Sequence, residues 1–326
     1  MKVKTAARVL GGTAVAIALT STALQLAAEA RDRRTYPPPG RLAKVRGHRL
    51  HIMCAGEGTP PVVIIPAMGG LAAEWQAVQD GLAAVTTVCV LDRAGLGWSD
   101  AGRGWPTATG MARDLHALLD SAEVARPAVL AGHSLGGLIA RVFAALYPAE
   151  MAALVLVDSS HPDQDARLLK TGLRDHRGGK IAAVAIEFAR PLGLRRLRRD
   201  LSREPSTGVM AALELTSRSR RAFAKELLAM NAICRETGAV AGDLGSLPLA
   251  VITSSERVPG REEGSRAQGN RSRFYPGWAQ LQDELAALST DNVHVVAPYA
   301  GHHLQRDDPG LVVETITGLV CRIRQP

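Results

Sequence analysis

Val129-Leu130-Ala131-Gly132-His133-Ser134-Leu135-Gly136-Gly137-Leu138 reads as an apolar strand that turns sharply into a helix. The β-type run Pro127 to Ala131 enters the turn, and Ile139, Val142, Phe143 and Leu146 leave it at helical spacing. A serine at the centre of such a turn presents its hydroxyl at the C-terminal end of the strand. Small residues two positions either side, here Gly132 and Gly136, relieve the crowding. The helix that begins at Leu135 also aims unpaired backbone N–H groups at the serine, where a developing oxyanion can be held.

The pattern Gly-x-Ser-x-Gly alone is weak, but three further stretches accompany it in order. Val62-Val63-Ile64-Ile65-Pro66-Ala67-Met68-Gly69-Gly70 with Trp75 forms one, and Leu91-Asp92-Arg93-Ala94-Gly95-Leu96-Gly97-Trp98-Ser99-Asp100 a second. Ala300-Gly301-His302, after the strand Val293 to Ala297, forms the third. Together they resemble the α/β-hydrolase family: its oxyanion-loop strand, its Asp-Arg-x-Gly-x-Gly-x-Ser loop, its nucleophile elbow and its histidine loop. The resemblance runs from about Arg41 to the C-terminus, with the middle unmatched.

The order of elements agrees. A hairpin, Leu42 to Val45 and Leu50 to Cys54, leads into strands at Pro61 to Pro66, Thr86 to Leu91, Ala153 to Val157, Leu247 to Thr253 and Val293 to Ala297. Helices are expected near Leu71 to Ala84, Thr107 to Ala122 and Pro309 to Arg322. Strands alternating with helices give an α/β fold, a mostly parallel sheet flanked by helices with an antiparallel hairpin at its start. Between residues 164 and 240 the strand signals stop and arginine-rich helical sequence takes over, with sixteen Lys/Arg against eight Asp/Glu. The resemblance identifies this as an inserted helical cap within a hydrolase domain spanning 41–326. Its cluster Arg195 to Arg199 is a solvated helix face or a lid that steers anions. The polar stretch Arg257 to Pro276 reads as an exposed loop.

Of 326 residues, 46% are hydrophobic and 21% charged, enough for a large core. The formal net charge of +8 is confined to residues 1–50, which carry ten Lys/Arg against Glu29 and Asp32. The remainder balances, so no basic stripe follows a nucleic-acid backbone. Residues 1–30 contain an uncharged run, Val9 to Ala28, after Lys2, Lys4 and Arg8. It reads as a transmembrane anchor, or as a signal peptide cut after Ala28-Glu29-Ala30, with the catalytic body on the extracytoplasmic side. Residues 31–40, with Tyr36-Pro37-Pro38-Pro39-Gly40, read as a stiff linker. Cys54, Cys89, Cys234 and Cys321 lack metal-site spacing. Cys89 is expected as a buried apolar side chain, and a disulfide between two of the others remains open.

The resemblance assigns Ser134 as nucleophile, His302 as its base, and the backbone N–H groups of Met68 and Leu135 as the oxyanion hole. Gly69 and Gly70 are alternative donors. The family's usual acid position, four residues past the strand Leu247 to Ile252, falls on Arg257. The acid is then Asp158, closing the strand Leu154 to Val157, with Glu256 as the alternative. His133 is expected to pack inside the elbow, and His48, His51 and His161 to lie on the surface or in loops. Asp92 and Arg93 are expected to hold their loop by ion pairs and hydrogen bonds. Serine with histidine implies acyl transfer to water, on a small-molecule ester, with neither cofactor nor metal. Amide or peptide cleavage, a perhydrolase reaction, or a binding protein that kept the fold and lost activity are the alternatives.

Overall fold

The computed structural model describes residues 2–169, 208–214, 216–255 and 266–325. Among the described residues eight strands form one sheet: β1 (Arg41–Val45), β2 (His48–Ala55), β3 (Val62–Ile65), β4 (Val88–Asp92), β5 (Ala128–His133), β6 (Met151–Val157), β7 (Leu249–Thr253) and β8 (Asn292–Val296). Their spatial order is β1-β2-β4-β3-β5-β6-β7-β8. The β1–β2 hairpin and the β2–β4 pair are antiparallel, and every later pairing is parallel.

The helices of the described chain are α1 (Lys2–Thr35), α2 (Gln76–Ala83), α3 (Ala108–Ser121), α4 (Leu135–Leu146), α5 (Gln164–Leu169), α6 (Val209–Glu214), α7 (Ser217–Val240), α8 (Arg266–Ala286), α9 (Leu304–Asp307) and α10 (Pro309–Arg324). Strand periodicity sorts the core into two layers. Val63, Ile65, Leu91, Leu130, Leu154 and Val251 face α3, α4 and α7 on one side. Val62, Ile64, Val90, Val129, Val155 and Ile252 face α2 and α10 on the other. Both faces are covered, which is why the central strands β3 to β5 are buried at every residue. The parallel arrangement delivers the C-terminal ends of β3, β5, β6 and β7 to one edge, the usual place for chemistry in such sheets.

Helix α7 is the strut that fixes the elements around that edge. Its Glu236 accepts from the N–H groups of Ala108 (2.7 Å) and Thr109 (3.0 Å), so it neutralises unpaired donors at the start of α3. Thr107 supplies the side-chain cap of the same helix, accepting from the Gly110 N–H at 3.0 Å. At the other end of α7, Glu29 of α1 accepts from the Ser217 N–H (2.8 Å) and hydroxyl (2.7 Å).

Four expectations are corrected here. First, the structure lends no support to a membrane-spanning anchor over Val9 to Ala28: among the described residues no helix is long and apolar enough to cross a membrane. Instead Gln25 and Glu29 of α1 are buried, and Glu29 makes the contact with α7 just described. Second, α1 runs on to Thr35, five residues into the stretch read as linker. Third, much of the stretch read as the loop Arg257 to Pro276 is helical, because α8 begins at Arg266 and carries Pro276 inside it. Residues 256–265 lie outside the described residues, as do Arg195 to Arg199 of the expected cap. The described parts of 164–240 are the helices α5, α6 and α7.

Fourth, Cys89 is half of a disulfide with Cys54. The two residues are direct partners in the β2–β4 register, with Cα atoms 4.0 Å apart. A cross-link between positions 35 residues apart restricts the unfolded chain, and removing such a bond typically costs about 2–4 kcal/mol. The double variant Cys54→Ala/Cys89→Ala is expected to lose about that much in urea unfolding. An unchanged midpoint would mean that the two thiols are not joined in solution.

Candidate active site

Ser134 stands alone between β5 and α4 with φ 53° and ψ −116°, a conformation that residues with a side chain rarely adopt. The surrounding backbone holds it there. Its N–H donates to the Val157 carbonyl at 3.2 Å, and its carbonyl accepts from Gly137 (3.0 Å) and Ser160 (3.1 Å). The turn closes only because glycines flank it. A Cβ on Gly136 would lie 2.1 Å from the Ile65 carbonyl oxygen, and one on Gly132 would lie 2.5 Å from the Gly136 oxygen.

Asp158 follows the last residue of β6, also at positive φ (40°), and is 1% exposed. One carboxylate oxygen accepts from the Trp278 indole N–H (2.8 Å) and the Ser254 N–H (2.9 Å). The other lies 2.6 Å from Nδ1 of His302. Burial alone would push this carboxyl up, but the bonds from His302, Trp278 and Ser254 hold it below the usual aspartate range. A charged acceptor at Nδ1 fixes the His302 tautomer, with the proton on Nδ1 and the free lone pair on Nε2. The acid alternative, Glu256, lies outside the described residues.

Asp158 and His302 are therefore joined directly. Ser134 and His302 are not hydrogen-bonded to one another in this conformation; the Ser134 hydroxyl lies 3.5 Å from that of Ser160. Serine–histidine contacts of this kind often close only with substrate present. What ties the elbow to the histidine loop is the neighbouring residue. His133, fully buried, donates from Nε2 to the His302 carbonyl at 2.7 Å. Its ring centroid is 4.9 Å from that of His302.

Burial, reinforced by the nearby His302, lowers the His133 pKa to about 3. Between pH 6.5 and about 3 the unfolded chain takes up a proton at this position that the folded chain refuses. Stability from neutral burial is full above 6.5 and falls as pH drops, by about 1.4 kcal/mol per pH unit for one proton. His133→Gln keeps a donor toward the His302 carbonyl but does not titrate. It is expected to flatten the slope of unfolding free energy against pH between 4 and 6 by about one proton. Parallel slopes in the two proteins would mean that His133 titrates normally.

The loop after β3 carries Met68. Arg93 donates to the Pro66 carbonyl (2.6 Å) and the Ala67 carbonyl (2.7 Å) and pairs with Glu226 of α7 at 2.8 Å. Glu226 in turn accepts from the Gly69 N–H at 2.8 Å. The Gly70 N–H donates to the Ala67 carbonyl at 2.8 Å. Both glycine donors offered as alternatives are thus occupied, whereas no hydrogen bond from the Met68 N–H is found among the described residues. Leu135 opens α4 beside Ser134, where the first N–H groups of a helix lack intrahelical partners.

Asp92 accepts from the N–H groups of Ala72 (2.8 Å) and Trp98 (3.2 Å), and it pairs with His51 at 2.9 Å. His51 is completely buried, not a surface or loop histidine as expected. It sits on β2 at the register position facing Asp92 on β4, a pairing set by the sheet and not by any local pattern. Two residues of the site went unnoticed in the sequence, Trp278 and Glu226. Both lie on helices far along the chain, and only the fold brings them in.

A left-handed serine on the turn between a parallel strand and its helix, with a buried aspartate–histidine pair at the same sheet edge, defines the α/β-hydrolase class. The chain belongs to that family. It is 30% identical over 294 residues to an AB hydrolase superfamily protein of Gibberella zeae, covering 81% of this chain and 87% of that one. Residues 60–189 match the family described as the alpha/beta hydrolase fold. A protein of Cronobacter turicensis named for carbamate hydrolysis, RutD, is 40% identical over 104 residues, which are 31% of this chain and 38% of that protein. Among solved structures, a thermophilic esterase from Thermogutta terrifontis superposes with a TM-score of 0.57 at 20% identity, covering 87% of this chain and 98% of that one. This last likeness concerns the fold alone.

Proposed function

We propose that this hydrolase cleaves carboxylic esters through an acyl-enzyme on Ser134. The observation that carries the reading is the 2.6 Å contact between His302 Nδ1 and the buried Asp158 carboxylate, at the sheet edge that also bears the strained Ser134. In the proposed reaction His302 Nε2 takes the Ser134 proton as Oγ attacks the ester carbonyl. The N–H groups of Met68 and Leu135 receive the oxyanion, while Arg93 and Glu226 hold the Met68 loop open to it. The alcohol leaves with the proton from His302. Water then attacks the acyl-enzyme with His302 again as base. Asp158 stays ionised throughout and stabilises the imidazolium.

A serine nucleophile argues against the alkyl-enzyme chemistry of family members that carry aspartate in the elbow. Carbamate or amide cleavage is the second reading, favoured by the likeness to the protein named for carbamate hydrolysis. We also infer an oxidising, extracytoplasmic setting, which the Cys54–Cys89 disulfide supports.

The test is hydrolysis of p-nitrophenyl esters from acetate to palmitate by the full chain, alongside labelling by a fluorophosphonate. Turnover with labelling at Ser134 is the expected result. Labelling without turnover on any ester would move the assignment to the carbamate or amide reading. Neither labelling nor turnover, in a folded protein, would leave only a binding protein built on this fold.

A further inference from the structure

A cavity of about 810 Å³ opens between α1, the loop from β4 to α3, α3 itself and α7. Its volume is that of a ligand site, within the roughly 300–1,000 Å³ usual for small-molecule pockets. Ser134, His302, Asp158, Met68 and Leu135 are all absent from its lining. The wall is amphipathic. Leu50, Leu91, Met111 and Leu115 form an apolar part, and the exposed Leu26 and Trp105 extend it outward.

Its charges do not cancel. Arg93 is paired with Glu226, and Arg46 with Asp114 at 3.1 Å. Glu29, the other acid of the lining, accepts from Ser217 and pairs with Arg33 at 3.8 Å. This leaves Arg103, Arg221 and Lys225 without an ion pair among the described residues, while Arg218 makes no direct salt bridge and feels Asp100, Asp92 and Glu29 only through longer-range attraction. Lys225 donates to the Gly104 carbonyl (3.0 Å) and Arg218 to the Gly97 carbonyl (2.7 Å), so both are held in place by the loop. The Arg218 Nε is buried with no hydrogen-bond partner. Cations fixed by backbone carbonyls, one of them with a spare buried donor, suit a carboxylate more than solvent.

We propose that this cavity is a second binding site, separate from the seryl site, for a single-chain anionic amphiphile such as a long-chain carboxylate. The alkyl chain occupies the wall formed by Leu50, Leu91, Met111 and Leu115, and the carboxylate sits among the four arginine and lysine side chains. Arg93 and Glu226 form part of the same lining while holding the Pro66 to Gly69 loop on their other side, so an occupant lies one ion pair away from the oxyanion loop.

Isothermal titration of the full chain with dodecanoate, below its micellar concentration, tests the proposal. One saturable site is expected. The charge-reversed variant Arg103→Glu/Arg221→Glu, changed only at exposed residues, should bind on the order of tenfold more weakly or worse. Dodecan-1-ol, with the same chain and no charge, should bind more weakly than dodecanoate by a similar factor. Met111→Trp, which fills the apolar part, should abolish binding; thermal melts check that each variant is folded. Absence of a saturable site, or equal affinity in the charge-reversed variant, would overturn the proposal. If Met111→Trp fails to fold, the surface variant alone decides. None of these outcomes depends on whether Ser134 turns over esters.

Discussion

Ser134→Ala is expected to lower kcat on the best p-nitrophenyl ester by about a millionfold, with KM nearly unchanged. The size follows from how such a group works. The histidine and aspartate act only through the serine oxygen, so removing that oxygen forfeits their contributions together. The substrate still meets the same walls, and the N–H groups proposed for the oxyanion stay on the backbone, so binding survives. Stability should change little, because alanine must occupy the same left-handed position (φ 53°) within the same backbone hydrogen bonds. The informative control is Ser160, whose hydroxyl is 3.5 Å from that of Ser134. Ser160→Ala should retain more than about a tenth of the activity, since Ser160 lies outside the strand-to-helix turn. Equal losses in the two variants, or a Ser134→Ala protein with several per cent of wild-type kcat, would sink the nucleophile assignment.

Much of this arrangement was legible because it is written in local patterns. The turn at Ser134 is fixed by two glycines and by a change from strand to helix periodicity, all within ten residues. The strands β3 to β7 are short apolar runs between turn signals, and a parallel sheet covered on both faces produces that signature, whereas the edge strand β8 is largely exposed. Asp158 was readable as an acid that closes such a run.

What stayed hidden depends on register and on distant packing. That Cys54 meets Cys89, and His51 meets Asp92, follows from the β2–β4 pairing and not from spacing along the chain. Helix α8 carries Pro276 and Gly277, residues that normally end helices, so its sequence suggests a loop. Yet this helix supplies the Trp278 donor to Asp158. Glu226 belongs to an arginine-rich stretch whose composition suggests a solvated face. It becomes a buried partner of Arg93 only when α7 lies against the Met68 loop. The N-terminal run shows the same limit of local reading. Hydropathy registers the uncharged residues of α1, while the turn that carries Glu29 is committed to capping α7.

The sharpest test of the acid is Asp158→Asn. Asparagine can still accept from Trp278 and Ser254 with its carbonyl oxygen, so the buried pocket stays satisfied on that side. Toward His302 it presents an NH2 group in place of a carboxylate oxygen. That donor requires an unprotonated Nδ1, so the imidazole proton moves to Nε2 and the base is lost. The expected cost in kcat is about ten-thousandfold at neutral pH, with the fold retained. Glu256→Gln should cost less than about tenfold. Stability provides a second readout with a defined sign. The Asp158 carboxyl is held below its ordinary range in the folded state, so its contribution is full above the ordinary aspartate value of about 3.9. It is lost as pH falls through the lower folded value, and the stability gap between wild type and Asp158→Asn should narrow over that acid interval. Small and equal losses in Asp158→Asn and Glu256→Gln would mean that neither carboxyl orients His302. The 2.6 Å contact would then be a structural ion pair that merely anchors the histidine loop to the end of β6.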